Sequence, residues 1–284
     1  MLHFNSIFGL LIAVSLMAVC ADSANAGPPV YVGQRAAGRI PFEQINHAPW
    51  DALLEKYVDR DGYMNYHVLH ASAADRRTLD GYLTTLSQAN LQAKTSKDAT
   101  LAFWINAYNA VTVHGILREY PTTSIRNHTA KLVGYNIWKD LQLLVGGRPY
   151  SLEAIEHQVL RKMGEPRIHF AIVCASIGCP RLLNQAYTAA DVQRQLETNA
   201  RDFFSRPQNF QFDMRTGQFQ LSEILNWFGE DFGPDQPAQL RTIAKWLPNQ
   251  AAQAAAQRGA GRVSFIPYNW DLNDQRSRRG VARE

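Results

Sequence analysis

Apolar residues recur along this chain either every three to four positions or every second one, the periods of a helix face and of a strand face. One stretch fits neither. In Leu101–Tyr120, LAFWINAYNAVTVHGILREY, ten of twenty residues are large and apolar or aromatic. On a helical wheel Phe103, Trp104, Ile105, Tyr108, Val111, Val113, Ile116 and Leu117 point in most directions. A helix apolar all round is either a membrane span or the centre of a globular core. Asn106, Asn109, His114, Arg118 and Glu119 argue against a span, so the pattern predicts a buried central helix over about residues 98–120. Thr95–Asp98 offers capping side chains ahead of it and Pro121 stops it.

Helical spacing also predicts Pro49–Val58, with Trp50, Leu53, Leu54 and Tyr57 inward, and a helix after Ser72 carrying Leu79, Tyr82, Leu83 and Leu86. Between them Asp59–Gly62 is a turn; it lacks the later ligands and terminal Glu of a calcium loop. Further helices are expected over Ser151–Met163, Ala189–Ser205, after Ser222, over Pro237–Trp246 and from Pro248 to Arg258. Leu141–Val145 and Arg148–Tyr150 flank Gly146-Gly147 as a hairpin, and Phe210, Phe212, Phe219 and Leu221 alternate across a second one at Thr216-Gly217. The apolar run Ile168–Cys174 predicts a buried strand, and Val263–Ile266 a closing one. The fold class is therefore α+β: one largely helical domain over residues 49–273, with a small, mainly antiparallel sheet. Gly27–Ala48 has no pattern and reads as a surface leader to the domain, and residues 274–284 as a disordered tail.

Ile7–Val19 is a short apolar run followed by the A-x-A site Ala24-Asn25-Ala26, so residues 1–26 read as a signal peptide and the expected location is a bacterial periplasm. No Lys or Arg precedes the run, it is short for a membrane span, and Val19 before Cys20 makes a poor lipobox. Cleavage leaves Cys174 and Cys179, five positions apart in an oxidising compartment, for which a local disulfide is the first reading. The net charge of +4 owes much to Arg276, Arg278, Arg279 and Arg283, and no basic stripe interleaved with aromatics lies within the domain. Nucleic acid is thus an unsuitable partner, and a small molecule or peptide a suitable one. No motif asks for a cofactor.

Burial makes the polar residues of three stretches informative. An amide or imidazole without partners in a core costs about 1–3 kcal/mol. Asn106 and Asn109 fall on one side of the central helix and His114 on another; tying neighbouring backbone to the helix is the plain reading for the asparagines, and ligand binding the other. In SLEAIEHQVLR, Glu156 lies inside the apolar stripe set by Leu152, Ile155 and Val159, so it is paired, hydrogen-bonded or raised in pKa. His157 projects to the border of that stripe and cannot be oriented by Glu156. In IHFAIVCASIGCP, strand parity puts His169 with Val173 and away from Cys174, unless the strand ends near Val173 and turns Cys174 toward a cleft. Cys174 is then a nucleophile, a disulfide partner or an inert buried thiol. His114, Glu156, His157, His169 and Cys174 include zinc-ligand types, without a pair at ligand spacing.

FWINAYNAVTVHGIL (Phe103–Leu117), SLEAIEHQVLR, IHFAIVCASIGCP and VSFIPYNWDLN (Val263–Asn273) resemble the domain of unknown function 547 family, in order and over roughly Ala48–Asn273. The resemblance implies a domain found in bacteria, often exported, and in plants, and supplies no reaction. Its pattern matches at Asn106, Asn109, Glu156, His157, His169 and Cys174; the bacterial form carries the second cysteine, here Cys179. Asn269 stands where the family more usually has Asp, which puts an acidic role there in doubt.

Together these readings predict a thiol-dependent hydrolase or acyltransferase, with Cys174 as nucleophile, His157 as base, Glu156 and Asn109 holding polar groups of the site, and Asn106, His114 and His169 binding. A non-enzymatic periplasmic scaffold locked by a Cys174–Cys179 disulfide is the alternative, and a zinc site the third reading. In thiol proteases of the familiar layout the cysteine precedes the histidine; here the order is reversed.

Overall fold

The computed structural model describes residues 28–130 and 134–281, so the expected signal peptide, with Cys20, lies outside the described residues. In chain order the elements are strand β1 (Val30–Val32), helices α1 (Ala48–Tyr57), α2 (Tyr66–Ala71), α3 (Ala73–Ser87), α4 (Lys97–Glu119) and α5 (Ile137–Asp140), and strands β2 (Leu141–Val145) and β3 (Arg148–Ser151). A π-helical segment Ala154–Leu160 and a 3-10 helix Pro166–Phe170 lead to α6 (Val192–Ser205), β4 (Phe210–Asp213), β5 (Gln218–Ser222), α7 (Ile224–Trp227) and α8 (Gly229–Phe232). The chain closes with α9 (Gln236–Ile243), α10 (Gln250–Gln257), β6 (Arg262–Ile266) and α11 (Gln275–Val281). Among the described residues no helix is long and apolar enough to cross a membrane.

The architecture is α+β, and α4 is its axis. Ser96 caps it by accepting the Ala99 N–H at 3.1 Å, and every residue from Leu101 to Val113 is buried. Gly115 lets the β2 hairpin lie close: a Cβ there would stand 2.6 Å from Leu141 and 2.9 Å from Ile137. α4 sits in a first core with α1, α3 and the β2–β3 hairpin; a second, aromatic core gathers Phe170, Phe203, Phe204, Phe210, Phe219 and Trp246.

Four expectations give way. There are two three-stranded sheets, each with one parallel and one antiparallel pair (β1-β2-β3 and β4-β5-β6), because β1 and β6 add to the two predicted hairpins from distant parts of the chain. β1 comes from the patternless leader, whose three-residue strand is too short to show a period. The expected tail is anchored: Asn273 and Asp274 are buried, Met64 N–H donates to Asn273 O, and α11 follows. Ile168–Cys174 is not a strand. Pro166 starts a 3-10 turn capped by the Glu165 side chain, and the backbone beyond it is held by amide side chains instead of a neighbouring strand.

Candidate functional site

Those amides explain the central helix's polar residues. Asn109 Nδ2 donates to Ala171 O at 3.0 Å while its Oδ1 accepts Val173 N–H at 2.9 Å, so one side chain replaces a ladder partner. Asn106 does the same for Tyr187, donating to its carbonyl at 2.8 Å and accepting its N–H at 2.9 Å. Asn199 donates to Phe170 O at 3.1 Å. Asn109 is thus a positioning residue for the segment that delivers Cys174, and Asn106 ties a loop.

Beyond Val173 the chain turns sharply. Ala175 has φ 60°, a left-handed conformation that a non-glycine residue holds at a cost of order 1–3 kcal/mol, the mark of a strained functional turn. Cys179 N–H donates to Ser176 O, and the C-terminal segment clamps the loop from outside: Ile177 N–H to Asp271 O, Gly178 N–H to Asn269 O, Asn273 N–H to Ala175 O. Gly178 is required by contact, since a Cβ would lie 2.9 Å from the Tyr268 ring. Asn269 Oδ1 accepts Asp271 N–H at 2.8 Å, a turn-forming role.

The turn brings the two sulfurs together. No disulfide joins the two cysteines, whose sulfurs stand in direct contact, 2.6 Å apart. Around Cys179 Sγ stand the Cys174 backbone N–H at 3.0 Å, the Tyr268 hydroxyl at 3.1 Å and the Ser176 hydroxyl at 3.4 Å. Burial opposes ionisation of Cys179, but the hydrogen bonds from Cys174, Ser176 and Tyr268 bring it down to about 6. The Cys179 sulfur beside it, then desolvation, pushes Cys174 well above the ordinary thiol range. The pair therefore gives up one proton readily and the second reluctantly. The backbone N–H at Cys179 Sγ favours charge there over the Cys174 that the sequence favours.

The sulfurs open onto a cavity of about 320 Å³ between the two cores, lined also by Tyr108, Glu156, His157, His169, Trp227 and Phe228. Glu156 and His157 share it because Ala154–Leu160 is π-helical: a π turn holds more residues than an α turn, so consecutive side chains diverge less than the α-helical reading allows. Burial pushes the Glu156 carboxyl up to about 7 although the Tyr108 hydroxyl, 3.3 Å from Oε2, pulls the other way. Its folded-state pKa exceeds the ordinary 4.5, so the unfolded chain binds fewer protons between about 4.5 and 7 and stability falls with rising pH across that window. Glu156→Gln is accordingly expected to be more stable relative to the wild type at pH 8 than at pH 4.5, as denaturant titrations at the two pH values will read; a difference independent of pH would contradict the raised carboxyl.

His157 does not meet Cys174 in a hydrogen bond. Its Nδ1 lies 3.0 Å from Arg161 Nη1, and a guanidinium has no acceptor, so Nδ1 accepts and the neutral ring carries its proton on Nε2. Burial, then the Arg161 charge, lowers its pKa. A ring in that state is a donor to the cavity. Arg161 is fixed by Asp231, at 2.6 and 2.9 Å, and by Glu230. Asp231 also accepts His169 Nε2–H at 2.7 Å; burial, against the pull of Asp231, brings His169 down to about 4. The His169 ring stacks on Phe228 with centroids 4.3 Å apart. His169 thus lines the cavity as a braced wall.

His114 is elsewhere. It faces α3, with Nε2 3.3 Å from Asp80 Oδ1, and takes no part in the cavity. Four of the five zinc-type residues line one cavity, but among the described residues no three His, Cys, Asp or Glu side chains converge closely enough to hold a metal ion. Sequence reasoning missed Asp231, Ser176 and Tyr268. For Asp231 the sequence holds no signal, because its partners are 62 and 70 positions away. Tyr268 lies within VSFIPYNWDLN, where the resemblance pointed without assigning a role.

Fold and site together define an α+β domain with a paired-thiol site beside a buried carboxyl. The model of the family described as "Protein of unknown function, DUF547" matches residues 92–204, so the resemblance to that family holds over α4 through most of α6. The matched stretch contains Asn106, Asn109, Glu156, His157, His169 and both thiols, whereas Asp231 and Tyr268 lie beyond it. No curated protein and no solved structure matches the chain.

Proposed function

We propose that this chain is an exported thiol–disulfide exchange protein working through Cys179 and Cys174. The observation that carries this reading is the pair of cysteine sulfurs in contact, with a backbone N–H and the Tyr268 hydroxyl against Cys179, opening onto a cavity. Cys179 thiolate attacks one sulfur of a substrate disulfide; a mixed disulfide forms and the first substrate sulfur leaves as thiolate. Cys174 then gives its proton to a base, for which Glu156 is the candidate, and attacks the Cys179 sulfur of the mixed disulfide. The protein disulfide forms and the second substrate sulfur leaves, taking up a proton. The substrate is reduced by two electrons and the pair oxidised by two; a dithiol reductant reverses the change in the protein.

Hydrolysis or acyl transfer needs a proton acceptor at the nucleophilic sulfur, and the engagement of His157 by Arg161 tells against the Cys174–His157 version of that chemistry. Export rests on the apolar run and A-x-A site of residues 1–26, and a mature chain starting at Gly27 is its expected product. The exchange reading predicts that the mature protein speeds dithiothreitol-driven reduction of oxidised glutathione and that Cys179→Ser abolishes the effect. A rate equal to that of dithiothreitol alone would overturn it and leave the scaffold reading.

A further inference from the structure

The cavity in front of the sulfurs has a chemistry of its own. Trp227, Tyr268 and Trp270 form one continuous aromatic wall, with ring centroids 4.9, 4.5 and 5.7 Å apart, and Phe228 extends the apolar surface. Trp227 is 45% exposed, so the wall reaches solvent and a ligand can slide along it. At about 320 Å³ the space suits a small molecule of one or two rings better than a folded partner.

The polar inventory of this cavity is nearly spent on the protein itself. The Tyr108 hydroxyl donates to Glu156, the Tyr268 hydroxyl is engaged with the thiols and Ser176, and His169 Nε2–H is taken by Asp231. At the rim, Lys139 Nζ and Glu153 Oε2 face each other at 4.0 Å. Besides the indole N–H groups of Trp138, Trp227 and Trp270, the Asn136 amide and the Lys139 ammonium at the rim, one imidazole proton is available to a ligand. With Nδ1 committed to Arg161, His157 Nε2–H points from a cavity-lining ring and is accepted by no described residue. A donor with no acceptor beside flat apolar walls selects a ligand that brings an acceptor oxygen and an aromatic body.

We propose that the cavity binds a small aromatic disulfide carrying a carboxylate or carbonyl oxygen, with the ring against Trp227 and Trp270 and the oxygen accepting His157 Nε2–H. This rests on the exchange reading for its sulfur chemistry, but the recognition itself requires none. Binding is therefore measured first with probes that lack sulfur: naphthalene-2-carboxylate and 2-naphthylmethylamine, followed by quenching of tryptophan fluorescence. The carboxylate is expected to bind roughly tenfold more tightly than the amine, the worth of one hydrogen bond to a charged group. His157→Phe should remove that preference while leaving the amine unchanged, and His157→Gln, whose amide can donate again, should restore part of it. Equal affinities in the wild type, or a preference that survives His157→Phe in a folded protein, would overturn the proposal.

The sulfur arm compares exchange with 2,2′-dithiodibenzoate and with cystamine. Preference for the aromatic carboxylate, lost as a rise in KM in His157→Phe, is the expected result. Exchange with both disulfides alike would sink the recognition proposal and leave the thiol reading standing. Carboxylate-selective binding without any exchange would do the reverse.

Discussion

Cys174→Ser is expected to keep a readily ionised thiol and Cys179→Ser to lose it. In Cys174→Ser the serine hydroxyl can still donate to Cys179 Sγ, and the Cys174 backbone N–H position, the Tyr268 hydroxyl and the Ser176 hydroxyl all remain. In Cys179→Ser the surviving thiol has no backbone N–H aimed at its sulfur. The rate of alkylation by iodoacetamide against pH separates them: a lower midpoint for Cys174→Ser than for Cys179→Ser, because only Cys179 Sγ has the backbone N–H of residue 174 as a donor. The midpoint is the better reading than the rate at one pH, because a thiolate of lower pKa is also a weaker nucleophile and the two effects partly cancel. A low midpoint in Cys179→Ser instead would return the nucleophile to Cys174.

Asn109→Ala is the second large effect. The amide is buried, and its loss leaves Ala171 C=O and Val173 N–H without partners in the core. Two such groups cost about 2–4 kcal/mol, a fall of roughly 5–10 °C in melting temperature for a domain of this size. Asn106→Ala strips Tyr187 of two bonds of the same kind and is expected to destabilise equally. Only Asn109→Ala, which frees the Val173 backbone next to Cys174, should also raise the alkylation midpoint of Cys179. Equal midpoints in the two variants would mean that Asn109 has no part in placing the sulfurs.

Much of the fold was legible because its signals were local. α4 showed itself by burial on every face, α6 by helical spacing, and the two hairpins by glycine turns between short extended runs. What failed was long-range. Ile168–Cys174 has the composition of a buried strand, but a strand needs a neighbour, and here side-chain amides from α4 and α6 take that place. The parity argument that separated His169 from Cys174 fell with it. Glu156 was readable from its place in the apolar stripe, whereas the use of His157 depended on a π turn and on an Arg161–Asp231 pair that joins residues 70 positions apart. The thiols were visible as a spacing. Their inequality arises from the Cys174 backbone N–H, which the turn at Ala175 aims at Cys179 Sγ and which no spacing reveals.

The most direct test is the intact mass of the reduced mature protein after one equivalent of a small disulfide, followed by iodoacetamide under denaturing conditions. Exchange through the pair predicts a chain with no adduct and no alkylated cysteine, and a stable mixed disulfide on Cys179 in the Cys174→Ser variant. A wild-type chain that keeps the adduct, or takes up two alkyl groups because neither sulfur has reacted, would contradict the account.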